Sequence, residues 1–425
     1  MVGANYSPEP TGNAPYTSGL SRALATRGAH VHVVTTFPHY PEWRVRDGYR
    51  GWSRREVVDG VDVLRLRHYV PRTPTPVRRL LAELSFGVRS VAVHWPDADV
   101  VLLVSPSLFS ASVASVRLAL QRRGRRGRPG VVLWTQDLYS LGVAETGTAG
   151  GSLARVVEDV ERRVARGADG VVAIHERFAE HLRGTLGVPA EAVRVVRNWT
   201  HLPPAEVVDR AAVRRELGWD DDETVVLHAG NQGAKQGLEN VVDAARLADH
   251  RGSRVRFVLL GDGSRRRALE AAAAGTRAIQ FLDPLPGDRF SGALGAADVL
   301  LVNELAGLAE MSVPSKLTSY FDAGRPVLAA TSAGSTTAHE IQVSGGGIRV
   351  DAEEPGALLD AVLRLAADPS RRRALGEAGR RYRHAVLSEG AAVDAFEEWL
   401  VAHAVQDVRQ EPGRGAARPA PAAST

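Results

Sequence analysis

Short, largely apolar β-branched runs alternate with Gly-bearing loops and helix-like segments along almost the whole chain, and no other property restricts its fold as tightly. In the first half the runs are Val31–Thr35, Val61–Leu66, Val100–Val104, Val131–Thr135, Val171–Ile174 and Val193–Val196. In the second half they are Val225–Ala229, Val255–Leu260, Ile279–Leu282, Val299–Val302, Val327–Ala329 and Ile348–Val350. A strand that is apolar on both faces needs cover on both, which is the situation of a parallel sheet flanked by helices. Strands alternating with helices imply βαβ units, and two blocks of them imply an α/β protein of two doubly wound domains. A chain of 425 residues is long enough for two such cores.

The alternation breaks between Asn198 and Val213, where Pro203 and Pro204 form a short stiff connector. The expected division is therefore 1–200 for the first domain, 201–213 for the linker and 214–368 for the second domain. Helices over 369–405 then close the chain, with Phe396 and Trp399 on one apolar stripe. Residues 406–425 are of low complexity, too poor in large apolar side chains to order themselves.

Composition excludes several classes of function. With no cysteine there is neither disulfide nor thiolate metal site, and a reducing cytoplasm is the natural home. No segment reaches the roughly 18 uninterrupted apolar residues of a membrane span, and no signal-peptide pattern opens the chain. A net charge of +4 is too small for a nucleic-acid face. The run Arg122, Arg123, Arg125, Arg126 and Arg128 reads as a solvated loop before the strand at Val131.

Cation usage is lopsided, with two lysines against 51 arginines. Lys235 and Lys316 both stand in loops between an apolar run and a helix. A lysine is a compact point charge that can share a phosphate with backbone amides, where the broad guanidinium fork does not substitute freely. Lys235 lies in Gly230-Asn231-Gln232-Gly233-Ala234-Lys235-Gln236-Gly237, a plausible cradle for an anion ahead of a helix. The spacing is neither G-x-G-x-x-G nor a P-loop, which argues against nicotinamide and ATP sites. Lys316 follows Ser315, a natural helix cap, with Glu310 a few residues upstream and Gly324-Arg325-Pro326 ending the helix. Near the start, Gly12 allows close approach of backbone to a ligand, although an ordinary turn would need it equally.

These residues carry a resemblance. Asn5-Tyr6-Ser7-Pro8-Glu9-Pro10-Thr11-Gly12, Phe37-Pro38-His39-Tyr40-Pro41-Glu42-Trp43, Gln136-Asp137-Leu138-Tyr139, Arg197-Asn198-Trp199, the Gly230 loop, Pro314-Ser315-Lys316 and Ala323-Gly324-Arg325-Pro326 stand in an order and spacing resembling retaining nucleotide-sugar glycosyltransferases of the GT-B fold, glycosyltransferase family 4. Within that family the likeness is to the type that builds colanic acid and O-antigen. It implies a nucleotide-diphosphate sugar donor on the second domain and an acceptor on the first. The diphosphate would be held by Gly230, Asn231, Gly233, Ser315 and Lys316, with Lys235 helping and Ser319 nearby. Gly12 and Asn13 would close over it, and Glu310 would face the sugar. Charge develops on the leaving diphosphate, so placed cations and amides are the largest catalytic effect expected, without a metal or other cofactor. The run Asp220-Asp221-Asp222 reads as a solvated turn after Gly218-Trp219.

The chain departs from that family in three places. Of the family's paired glutamates, the second position holds Ser319 and Glu310 is displaced by one residue. Asn231 stands where an arginine is usual. The chain opens Met1-Val2-Gly3 where the family has a whole buried strand, and a gap in the first sheet with a start placed too far downstream is the expectation.

On the acceptor side His39, Asp137 and His175 are the polar candidates, Asp137 foremost because it stands just past the strand ending at Thr135. The segment from Pro71 to Phe86 turns from a Pro-spaced loop into a helix combining Arg78 and Arg79 with Leu80, Leu81, Leu84 and Phe86. That composition suits an anionic membrane surface, and the resemblance implies a polyprenyl-diphosphate-linked or glycan acceptor at the inner face of the plasma membrane. Two other functions share this architecture: a nucleotide-sugar 2-epimerase, and a non-catalytic nucleotide-sugar-binding subunit.

Overall fold

A computed structural model describes residues 1–10, 12–122, 129–141, 151–199, 209–307 and 316–404. The first domain contains helices α1 (Ala14–Thr26), α2 (Pro76–Ala92), α3 (Leu108–Arg122), α4 (Gly151–Gly167) and α5 (Glu176–Gly184). Its strands are β1 (His32–Thr36), β2 (Ser53–Val58), β3 (Val61–Leu66), β4 (Val100–Ser105), β5 (Gly130–Thr135), β6 (Gly170–Ala173) and β7 (Val193–Val195). They run in the order β2-β3-β1 and β4-β5-β6-β7, parallel apart from β2. β2, Ser-Arg-Arg-Glu-Val-Val, is an exposed antiparallel edge strand that an apolar-run criterion could not find.

Met1, Val2 and Gly3 lie between the two groups of strands. Val2 bridges Val34 on one side and Leu103 on the other, donating its N–H to the Leu102 carbonyl at 2.8 Å. The gap expected in the first sheet is thus spanned by three residues, and the Met1 amine, buried and bonded to the His32 carbonyl at 2.7 Å, has its pKa lowered to about 5 by desolvation.

The second domain begins at α6 (Arg210–Leu217), capped by the Asp209 carboxylate on the Ala212 N–H. There follow β8 (Thr224–Ala229), α7 (Glu239–His250), β9 (Val255–Leu260), α8 (Arg266–Ala272), β10 (Ile279–Leu282), α9 (Gly287–Ala296) and β11 (Val299–Asn303). Next come α10 (Lys316–Asp322), β12 (Val327–Ala330), α11 (Thr336–Ser344), β13 (Gly347–Val350) and α12 (Pro355–Ala367). Six parallel strands run in the order β10-β9-β8-β11-β12-β13, with an apolar cluster on each face. The order reverses between β8 and β11, and ligands of such sheets bind outside the carboxyl ends of the strands at that point.

The closing helices are α13 (Pro369–Val386) and α14 (Glu389–His403). α13 packs on the second domain, and α14 turns back onto the first. Phe396 lies fully buried with its ring 4.6 Å from that of Trp134, in one core with Leu133, Val172 and Trp199. Ion pairs Arg27–Asp394 and Arg27–Glu397, each at 2.6 Å, rim that contact. Trp399 packs against the same core, as its place on the stripe with Phe396 implies.

Candidate active site

Both lysines lie on the loops at the β8/β11 reversal. After Ala229 the chain turns at Gly230, whose φ is 129°, and a Cβ added to neighbouring Gly261 would meet the Gly230 carbonyl oxygen at 2.1 Å. The exits of β8 and β9 nest only because Gly261 lacks a side chain, while Gly230 adopts a φ that favours glycine. Gln232 is fully buried and anchors the loop by donating from Nε2 to the Gly261 carbonyl at 3.1 Å. One short turn, Ala234–Gln236, carries Lys235 to the exposed surface before Gly237 leads into α7. From the other strand Asn303 donates from Nδ2 to the Gln236 and Gly237 carbonyls, at 2.8 and 2.9 Å. β11 therefore straps the loop that follows β8.

Lys316 is the first residue of α10. Its Nζ lies 3.4 Å from Nε2 of His228 and 3.8 Å from where a Cβ on Gly230 would sit. His228 is fully buried, and its Nδ1 faces the Leu301 carbonyl at 3.2 Å, which assigns the proton to Nδ1 and the lone pair to Nε2. Burial first, and the Lys316 charge second, push its pKa well below the usual imidazole value. The neutral ring accepts from the ammonium and aims it at Gly230. Tyr320, one turn on, fixes the helix to the strand end by accepting the Ala229 N–H at 2.8 Å. Ser319 is half-buried on the same helix. Glu310 and Ser315 lie outside the described residues.

Across the cleft, Gly12 is exposed with φ at 68°, and the Tyr40 ring lies 3.5 Å from where its Cβ would be. Asn13 is buried, its carbonyl accepting the Thr17 N–H at 3.0 Å to start α1. The buried Glu9 carboxylate accepts from the His39 and Tyr40 N–H groups at 2.8 and 2.9 Å, and from Asn5 Nδ2 at 2.8 Å. It stitches the Gly12 loop to the His39 loop. His39 Nδ1 stands 3.0 Å from the Phe37 carbonyl, and its ring centroid is 4.7 Å from that of His68. Burial and then the neighbouring His39 lower the His68 pKa to about 3.

Asp137 follows β5, with Oδ1 accepting the Leu138 N–H at 2.8 Å and its carbonyl accepting Ser105 Oγ at 2.9 Å. Burial raises its carboxyl pKa, and the Leu138 N–H and then the charge of Lys235 act in the opposite sense. His175 serves a local purpose instead. It is buried at the end of β6, and its Nδ1 accepts the Phe178 N–H at 3.3 Å as the cap of α5.

The structure thus brings Gly230, Asn231, Gly233, Lys235 and Lys316 to the carboxyl end of the second-domain sheet, and in the first domain groups Gly12, Asn13 and His39 around Glu9, with Asp137 apart from them just past β5. His228, Asn303 and Tyr320, which hold these loops in place, were not singled out from the sequence, and Gln232 entered only as a member of the Gly230 loop. His228 and Asn303 did carry a signal, being polar residues inside or ending fully buried strands. Asp220, Asp221 and Asp222 form an exposed turn paired to Arg214 and Arg254, and among the described residues no cluster of three His, Asp or Glu is placed to hold a metal.

Residues 11–199 match the glycosyl transferase 4-like domain, and residues 223–368 match the glycosyl transferases group 1 family. The chain is 34% identical over 339 residues to the putative colanic acid biosynthesis glycosyl transferase WcaI of Escherichia coli, covering 76% of this chain and 81% of that one. It is 30% identical over 384 residues to the D-inositol 3-phosphate glycosyltransferase of Acidothermus cellulolyticus, 84% of this chain and 78% of the other. Among solved structures, Anabaena HepE in complex with UDP superposes with a TM-score of 0.68 at 14% identity, over 94% of this chain and 99% of its own.

Proposed function

Because this chain belongs to the family 4 glycosyltransferases of GT-B fold, we propose that it moves a sugar, with retention of anomeric configuration, from a nucleotide-diphosphate donor to a polyprenyl-linked or glycan acceptor in surface-polysaccharide assembly. One observation carries the donor half of this reading: the Lys316 ammonium, steered by neutral His228, stands over the side-chain-free turn at Gly230 where the sheet order reverses. An ammonium beside exposed backbone suits a diphosphate, whose charge grows as the glycosidic bond breaks. Lys235 would add to that field from the rim, Gly12 and Asn13 would close over the diphosphate, and Glu310, Ser315 and Ser319 would lie toward sugar and ribose. Asp137, buried just past β5 and held by two backbone-linked contacts, would receive or orient the acceptor hydroxyl. HepE, solved with UDP, supports a nucleotide-sugar donor. No metal or other cofactor has a part in this scheme.

Thermal stabilisation by UDP, GDP, dTDP and ADP tests the donor site. Binding to the native state adds RT ln(1 + [L]/Kd), about 2.7 kcal/mol at a hundredfold excess over Kd. One nucleotide is expected to raise the unfolding midpoint of the wild type and to leave Lys316→Ala unmoved. No shift with any of the four would sink the donor reading.

The outer face of α2 supports an acceptor borne by a membrane. Val77, Leu81 and Val88 are exposed along one stripe, and Trp52, 72% exposed, lies beneath the Arg89 guanidinium beside it. Val116 and Leu120 continue the apolar surface on adjacent α3. Exposed apolar side chains among arginines fit the interface of an anionic bilayer, and no helix among the described residues is long and apolar enough to cross one. The protein is expected to co-sediment with phosphatidylglycerol vesicles and not with phosphatidylcholine alone. Equal binding of the wild type and Leu81→Asp would remove this part.

A further inference from the structure

A row of side chains runs along the first-domain wall of the cleft, outside everything assigned to the donor. It begins at Tyr40, whose ring covers Gly12. Trp43 comes next, edge-on to both Tyr40 and His39 with centroids 6.1 and 5.9 Å away. Its φ of 51° lies in the left-handed region, which a bulky residue occupies only under strain and which is found preferentially at ligand clamps. Over its ring stands the Arg79 guanidinium, 5.3 Å from the centroid. Arg79 is exposed on the first turn of α2.

Glu83, one turn further along α2, feels the Arg79 charge, which favours its ionised form, but its oxygens are held by other donors. Oε1 accepts the Tyr139 hydroxyl at 2.5 Å and Oε2 accepts the Phe109 N–H at 3.0 Å. Arg79 makes no ion pair with a carboxylate among the described residues. Tyr139 opens a helical turn two residues after Asp137. The row is therefore continuous from the cleft centre outward: Asp137, Tyr139 with Glu83, Arg79 over Trp43. It ends where the exposed apolar stripe of α2 begins, at Val77 and Leu81.

We propose that Arg79, stacked on Trp43, is the site that binds the phosphate group of a lipid-linked acceptor, with the acceptor sugar lying toward Asp137 and the lipid leaving along α2. The proposal rests on the transferase reading above. Its chemistry is that of a cation with donors to spare, placed between a polar trench and an apolar surface. A planar guanidinium on an aromatic face presents its fork to a phosphate while its own position is held by stacking.

Farnesyl diphosphate serves as a soluble probe, with the thermal shift measured alone and beside each of the four nucleotides for wild type, Arg79→Gln, Arg79→Lys and Trp43→Leu. The expected result is stabilisation of the wild type by the probe, weakened roughly tenfold or more in apparent affinity by Arg79→Gln, in keeping with loss of a charge-assisted contact. Arg79→Lys is expected to recover only part of it, and Trp43→Leu to weaken it as well. All three variants should keep the shift given by whichever of the four nucleotides stabilises the wild type, which also reports that they fold. Equal probe affinity in wild type and Arg79→Gln overturns the site, as does a wild type that ignores the probe. A probe shift that depends on Arg79 in a protein that answers to no nucleotide would uphold this site and defeat the donor assignment instead.

Discussion

At the scale of single residues, chemistry here depends on neighbours that hold charge in place. Lys316 is aimed by a histidine that burial keeps neutral, and the space around its Nζ is closed by His228 and Gly230. Lys316→Arg is therefore expected to fail as a rescue of nucleotide binding, since the guanidinium is both larger and forked. Equal nucleotide stabilisation of wild type and Lys316→Arg would show that charge alone is enough. His68 gives a pH test with a definite sign. Its folded pKa is lowered to about 3 against an ordinary 6.5, so the unfolded chain binds the extra proton first. Stability from this residue is complete above about pH 6.5 and is lost as pH falls toward 3. Burial raises the carboxyls of Glu83, Asp137 and Glu161, which act in the opposite sense, losing their contribution as pH rises. The difference between wild type and His68→Phe isolates the imidazole. The variant should lose less stability than the wild type between pH 6.5 and 4.5, as read from denaturant midpoints.

At the scale of elements, α14 shows how a terminal helix decides the geometry of a domain it does not belong to in sequence. Phe396 fills the core beside Trp134 and Trp199, and the ion pairs of Arg27 surround it. Phe396→Ala should cost about 3–5 kcal/mol, the range for deleting a buried aromatic ring. Chemical denaturation monitored by tryptophan fluorescence would reveal it, because both tryptophans lie beside the cavity. The donor loop makes a second case. Asn303 joins it to β11 through two carbonyls, so Asn303→Ala is expected to weaken nucleotide binding while leaving the overall unfolding midpoint within a few degrees. Position is what that side chain supplies.

At the scale of the whole molecule, a buried ionic contact joins the two domains among the described residues. Glu340, fully buried on α11, accepts from Arg197 Nε at 2.8 Å and from the Tyr382 hydroxyl at 2.8 Å, joining the end of the first domain to α11 and α13. Removing one partner of a buried pair strands the other charge, typically at about 3–5 kcal/mol. Arg197→Ala should therefore lower the unfolding midpoint strongly, while the double variant Arg197→Ala with Glu340→Gln should recover part of the loss. A double variant as unstable as the single one would mean that the contact acts through packing rather than charge.

Much of this was legible in the residues alone. Twelve apolar runs named twelve of the thirteen strands among the described residues, because a strand buried on both faces has no freedom to be polar. β2 escaped notice because an exposed edge strand carries no such restriction. The two lysines and the glycines of the loop after β8 were likewise visible, since scarce residue types in short, local spacing stand out in a sequence. What the tertiary structure alone decided is everything set by contact between distant segments. It placed His228 behind Lys316, Glu9 between two loops, Arg79 over Trp43 and α14 across the first domain. It also gave His175 a cap to make rather than a place with the acceptor-side residues. Sequence reports what a position must be when the chain's own period imposes it, whereas a partner 88 or 367 residues away is chosen by packing, which leaves no local mark.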